Sequence, residues 1–148
     1  MKIALTLAIG LAVAFIALQA YVRLAPTDPA RWHTDPGLDG PDEATDMLPG
    51  GIRLVRTFDA APADLLARID RIALATPRTQ TIAGGVDEGR ITYRTRSAFW
   101  GFPDFTTVAA DPGPGGGARL RIHARLRFGG GDMGVNAARV ESWLAELR

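Results

Sequence analysis

The 148-residue sequence contains no cysteine, which excludes disulfide bonds, thiolate metal ligands and cysteine nucleophiles. Histidine and serine are also scarce. The only histidines are His33 and His123, which lie far apart in the sequence, and the only serines are Ser97 and Ser142. Zinc motifs need closely spaced ligand pairs, which two distant histidines do not provide. The sequence therefore predicts no metal and no cofactor.

Lysine is nearly absent as well, since Lys2 is the only lysine and every other basic residue is arginine. The net charge of +1 conceals a division along the chain. Residues 26–48 contain one arginine and six acidic residues, whereas residues 49–148 contain fourteen arginines and ten acidic residues. An acidic segment thus precedes a basic domain, and its carboxylates are candidate partners for the arginines.

One long apolar run, IALTLAIGLAVAFIALQAYV, extends from Ile3 to Val22. A helix of this length spans about 30 Å, which matches the hydrocarbon core of a bilayer. Two interpretations remain open, an uncleaved signal-anchor and a signal peptide cleaved after Ala20. The anchor is favoured because secretory apolar regions usually have about 7–15 residues, and because Leu18 is large for the position three residues before cleavage.

The predicted location is the bacterial inner membrane, with a single span and the C-terminal domain on the periplasmic side, because the positive amino terminus should stay in the cytoplasm. The alternative is secretion after signal cleavage. The predicted organisation is an anchor over residues 1–24, a linker rich in proline, glycine and aspartate over residues 25–50, and a folded domain over residues 51–148. The linker is expected to be an extended tether or a loop that lies across the domain.

Hydrophobic periodicity divides the domain into seven elements in the order β-α-β-β-β-β-α. Glycine-rich turns join the middle strands as hairpins, and hairpin-linked strands cannot form a parallel sheet. The fold class is therefore α+β, with a single antiparallel sheet and two helices on one face, preceded by the transmembrane helix. The predicted strands cover residues 52–58, 79–83, 90–98, 104–110 and 118–128, and the helices begin near Pro62 and near Asp132.

The stretch GGGDMG (129–134) has the spacing of a dinucleotide-binding loop, G-x-G-x-x-G. That motif needs a following strand and an acidic residue about 20 positions later, and only 14 residues follow Gly134. We interpret it as a strand-to-helix corner in which Asp132 or Asn136 caps the helix. Asp132, Asn136 and Arg139 then share one helical face, which favours either a structural hydrogen-bond network or a ligand contact.

Arginines recur at alternate positions of two predicted strands, and strand side chains alternate between faces. Like charges on neighbouring strands repel each other. The row is therefore either a solvated outer face or a site for phosphate, carboxylate or anionic lipid head groups. Its members are Arg90, Arg94, Arg96, Arg119, Arg121, Arg125 and Arg127, with His123 among them.

The segment AFWGFPDF (98–105) joins two strands and carries four aromatic residues. It is expected either to close one end of the core or to form a pocket lip or membrane-contacting tip. Asp104 follows Pro103 in this segment, and we expect it to pair with Arg94 or Arg96.

Two segments resemble motifs of the family known as domain of unknown function 1499, which occurs in bacteria and plastids. They are RTRSAFWGFPDF (94–105) and RFGGGDMGVNAAR (127–139), and the resemblance covers roughly residues 48–148. The family usually places Arg-Ser-x-Ser before the signature arginine, whereas this sequence has HARL (123–126). The resemblance implies a domain identity and a polar cluster, and no activity. The matching signature residues are Arg127, Gly129, Asp132, Gly134, Asn136 and Arg139.

The sequence predicts a membrane-tethered envelope domain without enzymatic activity, which binds an anionic small molecule, a lipid head group or an envelope protein. Nucleic acid is not an expected partner, because the domain lies beyond the membrane. The alternative is a hydrolase or transferase of an envelope substrate, for which Ser97, His123 and Asp104 supply the residue types of a triad. The predicted ligand-binding residues are Arg94, Arg96, Asp104, Arg125, Arg127, Asp132, Asn136 and Arg139.

Overall fold

The apolar run at the start of the chain forms one continuous helix, α1 (Lys2–Leu24), in a computed structural model that describes residues 2–38 and 40–148. Its mean hydropathy reaches 2.3 over an 18-residue window, and no residue of that window is buried. By length and composition α1 qualifies either as a membrane span or as a signal sequence. Ala25 and Pro26 follow the helix, and proline's missing N–H ends its hydrogen bonding.

The described residues after α1 form an antiparallel sheet of six strands with three further α-helices. The strand order is β1-β2-β6-β5-β4-β3, so β2 and β6 are central neighbours although they are distant in sequence. The elements are α2 (Pro29–Trp32), β1 (Thr45–Leu48), β2 (Gly51–Phe58), α3 (Pro62–Ala75), β3 (Thr79–Gly85), β4 (Arg90–Arg96), β5 (Pro103–Pro112), β6 (Ala118–Leu126) and α4 (Val135–Leu147).

The predicted α+β class with two helices on one face of a single antiparallel sheet is confirmed. Strand β1 is an addition to the predicted order. It has only four residues and pairs with β2 at the sheet edge, through the turn at Pro49 and Gly50. Helix α4 begins at Val135, three residues later than predicted, because Gly134 adopts the left-handed conformation (φ 81°).

Helices α3 and α4 cover one face of the sheet and enclose the hydrophobic core. Tyr93 of β4 and Trp143 of α4 meet edge to face there, with ring centroids 5.8 Å apart. Their polar atoms are satisfied, since Tyr93 donates to Asp70 at 2.8 Å and Trp143 donates to Thr76 at 2.8 Å. The centre of this face is therefore used for packing, and the opposite face carries the arginine row.

Residues 25–38, named here the docked segment, lie across the opposite face of the sheet. Trp32 at the end of α2 stacks on Phe105 of β5 with ring centroids 3.9 Å apart, and its carbonyl accepts a hydrogen bond from Thr107 at 3.0 Å. Asp28 caps α2 by accepting from the Ala30 amide. Of the two arrangements expected for the linker, this part of it adopts the loop across the domain.

Candidate functional site

The arginine row lies on the face of the sheet opposite α3 and α4, as strand alternation predicts. Arg94 pairs across strands with Phe105, which pairs in turn with Arg125, so all three side chains share that face. The docked segment runs over this row and contacts it along its length. The row therefore divides into three parts that differ in what neutralises them.

The part distant from α1 is neutralised by carboxylates. Arg121 donates to Asp35 at 2.5 Å and to Asp111 at 2.8 Å. Arg119 lies 3.3 Å from Asp42, and Arg90 lies 3.8 Å from Glu88. The hydrogen bond from Arg121 lowers the pKa of Asp35 below its ordinary value. These arginines already hold counter-ions from the chain itself.

The middle of the row is occupied by the docked tryptophan. Trp32 lies between Phe105 and the guanidinium of Arg125, whose Cζ is 5.2 Å from the ring centroid. Arg125 also donates to the Trp32 carbonyl at 2.6 Å. His123 is buried beside it, and burial together with the charges of Arg125 and Arg53 lowers the pKa of His123 to about 4. His123 is therefore neutral at neutral pH.

The part beside the end of α1 forms the four-arginine cluster, defined as Arg23, Arg94, Arg96 and Arg127. Arg96 donates to the Gly101 carbonyl at 2.8 Å and to the Arg23 carbonyl at 3.1 Å. Burial lowers the pKa of Arg96, and the charges of the other three members lower it further. Among the described residues, no carboxylate lies within 4.0 Å of a cluster nitrogen.

The uncharged acceptors of this cluster are few. Arg94 and Arg127 share the Thr27 hydroxyl at 3.4 and 3.3 Å, and Arg127 also donates to the Pro26 carbonyl at 2.8 Å. The Nε atom of Arg94 is buried and has no protein partner in the described chain. Arg23 donates to the Gln19 side chain and to the Phe99 carbonyl, each at 3.3 Å. Among the described residues, every acceptor of the cluster is thus an uncharged dipole.

Asp104 does not pair with Arg94 or Arg96, so that expectation was wrong. It lies opposite Thr95 and Leu126 in the sheet register, which directs it to the helical face. There Arg139 of α4 donates to Asp104 at 2.9 Å and to the Asn136 side chain at 3.0 Å. The expected trio on α4 therefore forms a network with Asp104. The sheet separates it from the four-arginine cluster.

Asp132 caps the start of α4. Its carboxylate accepts from the Gly134 amide at 3.1 Å and from the Asn136 amide at 2.9 Å, which satisfies two donors that the first helical turn leaves free. Burial opposes ionisation of Asp132, but hydrogen bonds from Asn136 and Gly134 lower its pKa below the ordinary value. The glycines of GGGDMG thus form a corner. Gly134, and neither Asp132 nor Asn136, occupies the N-cap position, and Asp132 accepts from the two amides at a position two residues before it.

A cleft of about 340 Å³ opens between the loop before β5 and the glycine-rich loop before α4. Asp104 lies in its wall, and burial raises the pKa of Asp104 to about 6, helped by the charge of Asp132 and opposed by Arg139 and Asn136. Most of the remaining wall is apolar or aromatic. The lining residues are Ser97, Trp100, Phe102, Asp104, Leu126, Phe128, Gly131, Asp132, Met133 and Val135.

The rim of this cleft exposes large apolar side chains. Trp100 and its neighbour Phe99 are 41% and 69% exposed, and Met133 and Val135 on the other loop are 98% and 53% exposed. The cleft walls also touch α1, because Trp100 lies 5.6 Å from the Phe15 ring and Phe128 lies 6.0 Å from the Tyr21 ring. The cleft and the four-arginine cluster thus occupy the same end of the sheet, where it meets α1.

The residues considered for a triad do not come together. Ser97 and Asp104 line the same cleft, but His123 lies on the other face of the sheet beside Arg125. The Ser97 hydroxyl accepts from the Phe102 amide at 3.0 Å and supports the loop.

Sequence reasoning did not identify Arg23 or Thr27 as members of the basic site. Both residues lie just after the apolar run and just before Trp32. An expectation that Trp32 docks on the sheet would have placed them beside the arginine row. Arg125, which was predicted to bind a ligand, is instead occupied by Trp32.

Comparison with known proteins identifies the fold family. The family model described as "Protein of unknown function (DUF1499)" matches residues 26–147, which confirms the resemblance and extends it over the docked segment. No curated protein matches the sequence. Among solved structures, the crystal structure of protein CV1439 from Chromobacterium violaceum is 20% identical with a TM-score of 0.47, and the match covers 67% of this chain and 95% of that chain.

Proposed function

We propose that this chain, which belongs to the DUF1499 family of proteins of unknown function, is a membrane-tethered domain that binds anionic lipid head groups through the four-arginine cluster. Helix α1 is the anchor in this proposal, and the domain lies on the periplasmic side of a bacterial inner membrane. The proposed activity is binding without catalysis.

The observation that carries the proposal is the uneven neutralisation of the arginine row. Its distant members, Arg90, Arg119 and Arg121, hold carboxylates of the chain. The four-arginine cluster has none within 4.0 Å in the described chain. A guanidinium group presents several donors in a fixed fork that matches phosphate oxygens, so a lipid phosphate would supply the acceptors that are missing.

The position of the cluster supports a lipid source for that phosphate. Arg23 is in the last turn of α1, and Arg96 donates to carbonyl groups of Val22 and Arg23 at 3.4 and 3.1 Å. The cluster therefore lies at the depth where an anchored α1 would leave the hydrocarbon core. Basic residues at that depth gain about 1 kcal/mol each from an anionic leaflet.

The exposed aromatic rim supports the same orientation. Phe99 and Trp100 lie beside α1, and tryptophan side chains favour the boundary between hydrocarbon and head groups. Tyr21 near the end of α1 contacts Phe128, which lies beside the same rim. Exposed apolar side chains on a soluble surface usually mark an interaction site. Here an interfacial contact accounts for them without a protein partner.

The test uses the full chain in nanodiscs of phosphatidylcholine, to which phosphatidylglycerol is added in steps. Native mass spectrometry measures how much phosphatidylglycerol stays bound after release from the nanodisc. The Arg94→Gln/Arg127→Gln variant removes two charges that are unpaired by carboxylates. It should lose about 2 kcal/mol, or roughly 30-fold in retention of the anionic lipid.

The matched control is Arg119→Gln/Arg121→Gln, which removes two charges from the same face at its distant end. Its retention should equal that of the unmodified chain, because both arginines already hold carboxylates. Equal losses in the two variants, or no loss in either, would refute the cluster as the site. Intact mass measurement of the chain extracted from membranes tests the anchor, since a cleaved signal would remove residues up to Ala20.

A further inference from the structure

We infer that the cleft beside α1 is a second binding site, which takes a single-chain amphiphile whose polar end donates hydrogen bonds and carries no negative charge. The inference rests on the proposed anchoring of α1, since that places the cleft at the membrane surface. It does not rest on the four-arginine cluster, which lies on the other face of the sheet.

The walls of the cleft are suited to a hydrocarbon chain. Trp100, Phe102 and Phe128 form an aromatic side, and Leu126 and Val135 complete it. Trp100 and Phe102 are stacked with centroids 6.2 Å apart, and Phe128 contacts both Phe102 and Tyr21 of α1. Because two wall residues touch α1, an apolar chain could pass from the bilayer to the cleft without crossing water. The volume of about 340 Å³ is at the lower end of the range for small-molecule sites.

The carboxylates in the wall of the cleft determine which polar head group the ligand can carry. Asp104 and Asp132 both line the cleft, and Arg139 is the cation paired with Asp104. When both carboxylates are ionised, the three groups carry one net negative charge, which repels an anionic head and attracts a donor. Asp104 accepts from Arg139 at its Oδ2 atom, and a carboxylate has about four lone-pair positions, so it retains capacity for a hydroxyl or an amine.

The Asp104 carboxylate is recessed in the wall, since its side chain is only 18% exposed. Arg139 reaches its Oδ2 atom from the side of α4 and does not itself line the cleft. The cleft therefore combines a recessed hydrogen-bond acceptor with an apolar opening.

Simple insertion of the rim into the membrane is the competing explanation. Met133 and Val135 are exposed enough to enter a bilayer surface without any ligand in the cleft. Insertion alone, however, needs only the exposed rim. It does not use the acceptor capacity that Asp104 retains beside Arg139, whereas a ligand with a donor head uses both the rim and this carboxylate.

The experiment compares three probes of equal chain length on the full chain in detergent. These are a monoacylglycerol with a hydroxyl head, an alkylamine and a fatty acid, and native mass spectrometry or calorimetry measures saturable 1:1 binding. We expect both donor probes to bind at least tenfold more tightly than the fatty acid at pH 8, where Asp104 is ionised. Equal or tighter binding of the fatty acid would overturn the assigned polarity.

A cleft-filling variant locates the site. Val135→Trp adds bulk at an exposed position of the cleft, and we expect at least a tenfold loss of donor-probe binding. Val135→Thr keeps the volume of the side chain and is the matched control for bulk, with a smaller loss of donor-probe binding than Val135→Trp. Unchanged binding in Val135→Trp would refute the cleft as the site, as would the absence of saturable binding by any probe.

Two further variants separate this inference from the proposed function. Arg94→Gln should lose part of the retention of phosphatidylglycerol but keep donor-probe binding, because Arg94 lies on the face of the sheet opposite Asp104 and does not line the cleft. Asp104→Asn preserves the shape of the wall and should abolish the preference for donor probes over the fatty acid. If Asp104→Asn unfolds, the Val135 pair still decides the location, and the three-probe comparison decides the polarity.

Discussion

Replacement of Trp32 by alanine removes the side chain that holds the docked segment against the sheet. Trp32 is 9% exposed, stacks on Phe105 at 3.9 Å and lies under the Arg125 guanidinium. The other contacts of the segment are mostly hydrogen bonds and one strong ion pair, between Asp35 and Arg121. Trp32 is therefore its principal apolar contact with the sheet.

The magnitude follows from the buried area. A tryptophan buries about 200 Å² of surface, which at about 25 cal/mol per Å² contributes roughly 5 kcal/mol. The stacking and cation–π geometries add about 1 kcal/mol each. Ordering the backbone costs about 1–2 kcal/mol per residue, and half-exposed hydrogen bonds contribute about 1 kcal/mol each. Without the tryptophan, the remaining contacts do not offset the cost of ordering, so the segment should detach.

Limited proteolysis with trypsin provides the assay, because Arg31 is exposed and directly precedes Trp32. Cleavage after Arg31 should be at least tenfold faster in Trp32→Ala than in the unmodified chain. Hydrogen exchange should show the same opening at the His33 amide, which donates to the Pro29 carbonyl. Helices α3 and α4 should keep their protection, because their core lies on the other face of the sheet.

Trp32→Phe is the control, since it keeps an aromatic ring over Phe105 and leaves the backbone carbonyl contacts in place. Its cleavage should stay within about threefold of the unmodified chain, in proportion to a loss of less than about 1 kcal/mol. If Trp32→Ala resists trypsin as well as Trp32→Phe does, the segment is held by its polar contacts, and the argument from apolar area fails.

Two remaining predictions concern stability. Asp132→Ala removes the acceptor of two amides at the start of α4 and should lower the free energy of unfolding by about 1–2 kcal/mol, measured by denaturation in detergent, with Asp132→Asn losing less. The second concerns pH. Burial lowers the pKa of His123 to about 4. The unfolded chain therefore binds this proton first, and the free energy of unfolding decreases as pH falls from 6.5 towards 4. Burial raises the pKa of Asp104 to about 6, so the folded chain holds this proton more tightly than the unfolded chain. The free energy of unfolding therefore decreases as pH rises from 3.8 through 6. The two effects oppose each other, and His123→Gln should therefore be more stable at pH 5 than at pH 6.5 by about 1 kcal/mol, whereas the unmodified chain should change less. A His123→Gln variant that loses stability on acidification over this range would contradict the assignment.

The arrangement of the sheet could be predicted because its signals are local. Alternation in β4 and β6 assigns each side chain to a face, and the glycine-rich turns between strands require antiparallel pairing. Strand β1 was not predicted, because its four residues, TDML, are too few to show the alternation of apolar and polar residues that is typical of a strand. The delayed start of α4 depends on a left-handed glycine, and the sequence alone permits that conformation without requiring it.

The candidate site was only half predictable, because its decisive contacts join residues that are distant in sequence. Arg121 and Asp35 are 86 positions apart, so no pattern shows which arginines the acidic segment neutralises. The expected pairing of Asp104 with Arg94 failed for a related reason. Strand alternation gives the face of each residue within one strand, but only the register between β4 and β5 shows that these two residues face opposite ways.

The two proposed sites require only one orientation of the domain. The ends of β4 and β6 and the start of β5 lie at one end of the sheet. The cluster and the cleft therefore both lie beside the second half of α1, the cluster at Val22 and Arg23 and the cleft at Phe15 and Tyr21. Contacts on both sides fix α1 there, since Arg96 holds the carbonyls at its end while Trp100 and Phe128 hold its aromatic side chains. The docked segment then leads directly away from α1 across the sheet. A domain attached in this way to a membrane-anchored α1 cannot turn its opposite end to the membrane without breaking those contacts. For that reason the lack of carboxylates among the described residues at one end of the arginine row bears on the proposed function.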